Sequence, residues 1–341
     1  MSERALITGG AGCIGSVLAE RLVARGDQVT VIDDLSSGRR EHIAAIEPHR
    51  NFRFVEADVL DVASLDVAMA GTDTVYHLAA NPDVKYAPGD PTDKDLRQNT
   101  IATYRVLETM RRHGVRRLAF ASTSAVYGRA ETLPILESAP TRPISLYGAT
   151  KLACEGLIGA FQNLFDMECR IFRFANIVGP RVRAKGRTVI GDFIARLREN
   201  PRELRILGDG NQSKSYLSAD ECVDGIVFAM ERAGGGLGVF NLGCEGGLTV
   251  RRIADLVALE MGLSDVRYGF TGGEGGWPGD VPRFELDVSA MARLGWHAGK
   301  NSEQAVVEAI RSSLVHADGG AACAGFRADD LDSRQPEGVA A

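Results

Sequence analysis

The run ALIT (5–8) passes directly into TGGAGCIG (8–15) and then into CIGSVLAERLVARG (13–26), whose apolar residues recur at helical spacing. A glycine-rich turn between a buried strand and an amphipathic helix is compatible with few folds. Glycine at 9, 12 and 15 permits a tight turn, close approach of an anionic ligand and close helix–strand packing, with the helix N-terminus facing the anion. A G-x-x-G-x-x-G spacing by itself equally describes a plain strand–helix turn. Here it follows the first strand and opens an apolar helix, which is the context a dinucleotide site requires.

The first half keeps that rhythm. QVTVID (28–33), FRFVEAD (52–58), TVYHLA (74–79), LAFAST (118–123) and CRIFRFA (169–175) read as buried strands, and NTIATYRVLETMRRHG (99–114) as a helix. Strict alternation predicts right-handed βαβ crossovers and a Rossmann-type α/β fold with a doubly wound parallel sheet. After about residue 177 the rhythm changes. A basic loop, GPRVRAKGRTVIGDF, leads into a helix; helices near 219–233, 249–262 and 302–316 and a strand near 239–242 follow. Between the last two helices lies the Gly-rich TGGEGGWPGD (271–280). The predicted organisation is a nucleotide-binding domain over 1–176 and a smaller C-terminal substrate-binding lobe over 177–317, interleaved with it. The tail 318–341, rich in Gly, Ala and Asp, is expected to be disordered.

Composition narrows the function classes. A chain of 341 residues suits one large domain with a smaller lobe. Its net charge of −6 argues against general affinity for nucleic acid or anionic membranes. No stretch approaches the roughly 20 apolar residues of a membrane span. The N-terminus runs into a strand without a leader pattern, so a cytoplasmic location is expected. Six cysteines, at 13, 154, 169, 222, 244 and 323, contain no C-x-x-C pair and read as reduced thiols. The six histidines form no H-E-x-x-H array, so no metal is expected.

QVTVID ends at Asp33, close to the acidic position expected about 20 residues beyond the glycine turn. A carboxylate there accepts hydrogen bonds from the adenosine ribose and repels a 2′-phosphate, which favours NAD over NADP. Asp58 suits either the adenine amino group or a helix N-cap.

Eight segments now stand in order: TGGAGCIG, VIDDLSSG (31–38), HLAA (77–80), QNTIAT (98–103), ASTSAVYG (121–128), YGATK (147–151), RFANIVGPR (173–181) and GDGNQSKSYL (208–217). Through them the chain resembles the extended short-chain dehydrogenase/reductases, specifically the NAD-dependent nucleotide-sugar epimerase/dehydratases, over residues 1 to about 316. The resemblance implies NAD along Gly9, Gly12, Cys13, Ile14 and Gly15, beside Asp33, Asp34, Ser37 and Gly38. It also implies contacts at Asp58, Val59, Leu78, Ala79 and Ala80, with Asn99, Tyr147 and Lys151 toward the nicotinamide and Lys85 near that side.

The catalytic group implied is Thr123, Tyr147 and Lys151. Residues four apart share a helix face, and an ammonium near a phenol favours the phenolate, lowering a pKa that starts near 10. Tyr147 is then the general base toward a sugar hydroxyl, Thr123 orients the reacting oxygen, and Lys151 also holds the nicotinamide ribose. Dehydratases of this kind carry an Asp-Glu pair after the Thr, and UDP-glucuronate decarboxylases a Glu two residues after it. Here those positions are Ser124 and Ala125. The reading is therefore a UDP-sugar 4-epimerase working through a transient 4-keto sugar, with tightly bound NAD regenerated in each cycle.

Substrate contacts are expected at Ser124, Asn176, Lys185, Arg187, Lys214 and Arg283. The loop after Asn176 carries Arg181, Arg183, Lys185 and Arg187. If Arg187 or Lys185 pairs with a C6 carboxylate, the substrates are UDP-glucuronate and UDP-galacturonate, which are slightly favoured. A solvated loop or a diphosphate clamp is the bland reading, and UDP-glucose with UDP-galactose the alternative pair. dTDP- or CDP-sugars also remain open. Two positions depart from the family: Trp277 and Lys214 stand where arginines are usual. A sensor or scaffold that keeps NAD without turnover would be expected to lack one of Thr123, Tyr147 or Lys151. A one-way reductase would consume NADH stoichiometrically. Relatives pair through two long helices, here near 93–113 and 148–165, so a homodimer is expected. Leu152, Leu157, Ile158, Phe161 and Phe165 form the candidate stripe, which equally suits packing on the sheet.

Overall fold

The computed structural model describes residues 2–83, 89, 91–181, 188–277 and 279–317. Expectations for Lys85, Arg183, Lys185, Arg187, Cys323 and the 318–341 tail lie outside these residues.

Six strands follow the sequence reading closely: β1 (Arg4–Thr8), β2 (Gln28–Asp33), β3 (Phe52–Glu56), β4 (Thr74–His77), β5 (Arg117–Thr123) and β6 (Glu168–Phe174). A seventh, Leu237–Leu242, joins them from the C-terminal part of the chain. The sheet is wholly parallel and ordered Leu237–Leu242, β6, β5, β4, β1, β2, β3. Strand order reverses between β1 and β4, and the crevice beyond their C-terminal ends is where such sheets bind ligands.

Alternation along each strand builds two cores. Ala5, Ile7, Val29, Val31, Ala119 and Ala121 point to one face, where they pack with Leu18 and Leu22 of α1 (Cys13–Ala24) and with Val223 and Ile226 of the helix Ala219–Arg232. Leu6, Ile32, Leu118 and Phe120 point to the other, against Leu65 of α2 (Val62–Met69), Val106 and Met110 of the helix Ala102–His113, and Ile158 of the helix Leu146–Phe165. The period of two in the strands and of 3.6 in the helices delivers each apolar side chain to its layer. Burying a side chain of this size stabilises the fold by roughly 1.5–3 kcal/mol.

The C-terminal part is interleaved with the sheet, since it contributes the edge strand and the Ala219–Arg232 helix. A third core joins the helices Val189–Glu199, Val250–Glu260 and Ser302–Ala317 through Ile194, Leu197, Ile253, Val257 and Ile310. It stands beside the C-terminal end of the sheet, bounded by short two- and three-stranded pieces. Among the described residues no helix is long and apolar enough to cross a membrane, and five cysteines are free thiols.

Of the two uses open to the apolar stripe, packing toward the sheet is the one observed for most of its residues. Ile158 and Phe161 are core residues, Leu157 packs partly on the same core, and Leu152 lies against the cluster around Tyr127 and Phe284. The outward face of Leu146–Phe165 carries Ala153, Gly156, Ala160 and Leu164 instead, with Phe165 at its end. Beside them, Ile101 and Tyr104 are exposed on the neighbouring helical segment.

Candidate active site

One cavity of about 1110 Å³ runs along the C-terminal ends of the strands, from the glycine turn to the C-terminal lobe. At its first end the turn after β1 is shaped by glycine. Gly9 has φ +70°, and a Cβ on Gly15 would lie 2.3 Å from Gly9 O, so neither position accepts a side chain without moving the backbone. Gly12 is the N-cap of α1, which has no side-chain cap and no acidic residue in its first turn. The helices beginning after Asp61, Ser145, Thr188, Ser218 and Thr249 are each capped by that residue's side chain. The α1 N-terminus is thus left for an anion, with the favourable end of the helix dipole toward it.

Asp33 lies at the β2 end with its carboxylate oriented by backbone donors: Ala11 N to Oδ2 at 2.9 Å and Leu35 N to Oδ1 at 2.8 Å. Burial pushes its pKa up, and those two hydrogen bonds oppose the rise. Asp58 does not cap α2, a role that Asp61 fills. Its Oδ1 accepts from Leu60 N and its Oδ2 from Gln98 Nε2, at 2.8 and 3.2 Å. Gly9, Gly12, Cys13, Ile14, Gly15, Asp33, Asp34, Ser37, Gly38, Asp58, Val59, Leu78, Ala79 and Ala80 all line this half of the cavity. An uncapped helix start, a glycine turn and a fixed carboxylate fit a dinucleotide with an unphosphorylated ribose.

Midway along the cavity, Thr123 ends β5 and Tyr147 opens the Leu146–Phe165 helix. Ser145 Oγ accepts from Gly148 N at 3.1 Å and so starts that helix two residues before the phenol. Gly148 packs on the turn Ser124–Val126, and the Thr123 hydroxyl and the Tyr147 phenol both line the cavity. Lys151, 2% exposed, donates from Nζ to Ala121 O at 2.8 Å, 4.7 Å from the centroid of the Phe120 ring.

The ionisation of this pair differs from the expected pattern. Tyr147 keeps some surface in the cavity wall, yet burial pushes its pKa up to about 12. The Thr123 hydroxyl lowers it and the Asp95 charge raises it. Burial lowers Lys151 to about 8, while Cys154, Glu155 and Asp95 pull it back up. Desolvation is the largest influence on both groups, and the lysine's close contact is with a backbone carbonyl.

Asn99 is also corrected. It is fully buried behind the wall, in the π-helical turn Leu96–Ile101, where Oδ1 accepts from Asn81 N at 2.9 Å and Nδ2 donates to Thr150 Oγ1 at 3.0 Å. Asp95, which the sequence reading passed over, does reach the wall. Its Oδ1 accepts from Asn81 Nδ2 at 2.8 Å and more distantly from Asn99 Nδ2. Its spacing of four from Asn99 was a usable signal; a π turn has no such signature.

Beneath Thr123 a second network was equally unforeseen. Ser122 Oγ donates to Glu155, which forms a buried ion pair with Arg173 at 2.7 Å. Arg173 also donates to Tyr127 OH at 2.9 Å, and Tyr127 OH to Asn241 Oδ1 at 2.6 Å. Its own pKa is raised: the Glu155 and Tyr127 contacts outweigh burial.

Toward the C-terminal lobe the wall includes Ser124, Ala125, Asn176, Phe193, Gln212, Lys214, Tyr216 and Trp277. Lys214 is not a loose cation. Its Nζ meets Asp280 Oδ1 at 2.6 Å and lies 5.1 Å from the Trp277 ring centroid. Arg283 is exposed on a short strand, outside the cavity wall, so its expected substrate contact is not supported. Arg181 turns to α1 and not to the lobe.

The profile of the NAD dependent epimerase/dehydratase family matches residues 5–243. The chain belongs to that family. NAD is its cofactor, and it is an NAD-dependent enzyme. It is 36% identical to the UDP-glucose 4-epimerase of Mycolicibacterium smegmatis over 86% of this chain and 93% of that one. Among solved structures, a UDP-galactose 4-epimerase shares 36% identity at a TM-score of 0.80, covering 92% of this chain and 99% of the other. The UDP-glucuronic acid 4-epimerase from Bacillus cereus, in complex with UDP-glucuronic acid and NAD, shares 27% at 0.83 over the same proportions.

Proposed function

We propose that the chain is a UDP-sugar 4-epimerase whose preferred pair is UDP-glucose and UDP-galactose. The observation that carries the reaction type is that Thr123, Tyr147 and Lys151 line one cavity wall, on a turn completed by Ser124 and Ala125. Neither neighbour offers the acid that elimination or decarboxylation would use at that place. NAD, when bound in its oxidised form, supplies a positively charged two-electron acceptor for the sugar C4–H bond. Tyr147 Oη takes the proton of the C4 hydroxyl and later returns it to the same oxygen. Thr123 Oγ1, on the same cavity wall, orients that hydroxyl. Lys151 keeps a cation one helical turn away, anchored on Ala121 O. Because burial alone keeps the phenol protonated, the ligands' own charges contribute to its ionisation.

The hexose pair replaces the glucuronate pair that the basic loop favoured. Two relatives at 36% identity carry the UDP-glucose and UDP-galactose names, whereas Arg187 and Lys185 lie outside the described residues. The Bacillus cereus neighbour supports UDP-glucuronate as a second reading. Ser124, Asn176 and Lys214 are the substrate contacts of this reading, with residues 1–176 carrying NAD and 177–317 the nucleotide-sugar. A homodimer through Ala153, Gly156, Ala160 and Leu164, with Ile101 and Tyr104, and a cytoplasmic location complete it. Small residues there permit close helix–helix approach.

NMR of UDP-glucose and UDP-glucuronate incubated with the purified protein, without added cofactor, tests the reading. UDP-galactose is expected from the first, with the higher kcat/KM. A higher kcat/KM on UDP-glucuronate overturns the hexose choice, and no interconversion of either overturns the epimerase.

A further inference from the structure

Arg181 follows the strand Asn176–Val178 and reaches α1, where Nη1 donates to Ser16 Oγ at 3.0 Å and Nη2 to Glu20 Oε1 at 2.6 Å. The Arg181 and Glu20 side chains are only 13% and 16% exposed, and Arg181 lines the cavity beside the glycine turn. Its charge acts on that turn. Burial pushes the Cys13 thiol up and Arg181 opposes the rise; burial pushes His42 down and Arg181 adds to the fall.

Lysines and arginines in the described wall number four: Lys94, Lys151, Arg181 and Lys214. Lys94 faces Asp83 at 3.6 Å, Lys151 is bonded to Ala121 O, and Lys214 is paired with Asp280. Arg181 alone among them is bonded to α1, the helix whose N-terminus is uncapped. Glu20 sits more than a turn deeper into that helix, so it anchors the guanidinium without occupying the anion-receiving end. Among the described residues, these contacts engage two of the five guanidinium N–H donors.

We propose that Arg181 is a cofactor-binding residue: it adds a fixed positive charge to the open end of α1, opposite the pyrophosphate of NAD, and thereby slows NAD release. The inference rests on the NAD site described above. It also links the segment after Asn176, read from sequence as serving the sugar nucleotide, to cofactor retention.

The test is release of radiolabelled NAD from the loaded protein into excess unlabelled NAD, followed by rapid filtration. Arg181→Met is expected to release NAD at least about tenfold faster, as loss of a charge-assisted contact requires. Arg181→Lys should be intermediate. Glu20→Gln, which leaves the guanidinium on Ser16, should release at the wild-type rate. An Arg181→Met rate equal to wild type overturns the proposal, as does a Glu20→Gln rate as fast as Arg181→Met, which would assign a helix-anchoring role only. If Arg181→Met does not fold, a wild-type rate in Arg181→Lys likewise overturns it. A wild-type protein that retains no NAD fails the cofactor reading itself, and the inference with it.

Discussion

A β-carbon on residue 148 would lie 2.7 Å from Ala125 O, so the catalytic helix and the turn after Thr123 meet at a distance only Gly148 permits. This contact sets the separation of Thr123 from Tyr147. The glycine after the tyrosine is therefore a spacing device and not a flexible joint.

Gly148→Ala should push the helix off the turn. The expected outcome is a stability loss of about 1–3 kcal/mol by urea unfolding, as for overpacking elsewhere, with a fall in kcat that exceeds any change in NAD content. Unchanged kcat would mean that the Thr123–Tyr147 spacing is not set here.

Bonds from Ala11 N and Leu35 N fix the Asp33 carboxylate at the cavity wall. Asp33→Ser should weaken NAD binding about 10- to 100-fold, the worth of a charged hydrogen bond, while NADP binding falls less or improves. Isothermal titration with both nucleotides reads the ratio. An unaltered preference for NAD would remove Asp33 from the discrimination.

The Glu155–Arg173 pair is almost fully enclosed, at 7% and 8% side-chain exposure. Removing one partner strands a buried charge. Arg173→Met should cost about 3–5 kcal/mol, and the double variant with Glu155→Leu should recover part of it. A double variant less stable than Arg173→Met would contradict this account of the network.

His77 is clamped between Thr8 Oγ1 and Thr103 Oγ1, at 2.7 and 3.0 Å. Burial, with the Lys151 charge added, lowers its pKa to about 3. The unfolded chain binds this proton near pH 6.5 and the folded chain only near 3, so stability falls as pH drops through that window. Between pH 6.5 and 5 the wild type should lose about 2 kcal/mol more than His77→Asn. Equal losses in urea midpoints at the two pH values would show that His77 titrates normally.

The sheet and the cofactor half of the site were legible because their signals are local. Strand alternation, the glycine turn and Asp33 at a strand end each depend on a few consecutive residues. What stayed hidden depends on partners far along the chain. Asn99 matched its motif, yet a π turn and a bond to Thr150 hold it behind the wall. The pairing of Lys214 with Asp280, 66 residues away, and of Arg181 with Glu20, 161 residues away, leaves no local trace in the sequence. The apolar stripe took its packing alternative for a related reason: apolar periodicity marks the buried face of a helix, and the outer face here is written in Ala and Gly. Spacing places the tyrosine and lysine on one helix but says nothing of the burial that raises the phenol and lowers the ammonium.

The central claim is that the Tyr147 phenol moves the proton of the sugar's C4 hydroxyl. Tyr147→Phe keeps the ring, the helix and the Gly148 contact, and removes only the oxygen. Interconversion of UDP-glucose and UDP-galactose should slow by about 10²- to 10⁴-fold, the range for a lost general base, with the NAD content of the purified protein unchanged. A variant that holds NAD and turns over at the wild-type rate would contradict the account.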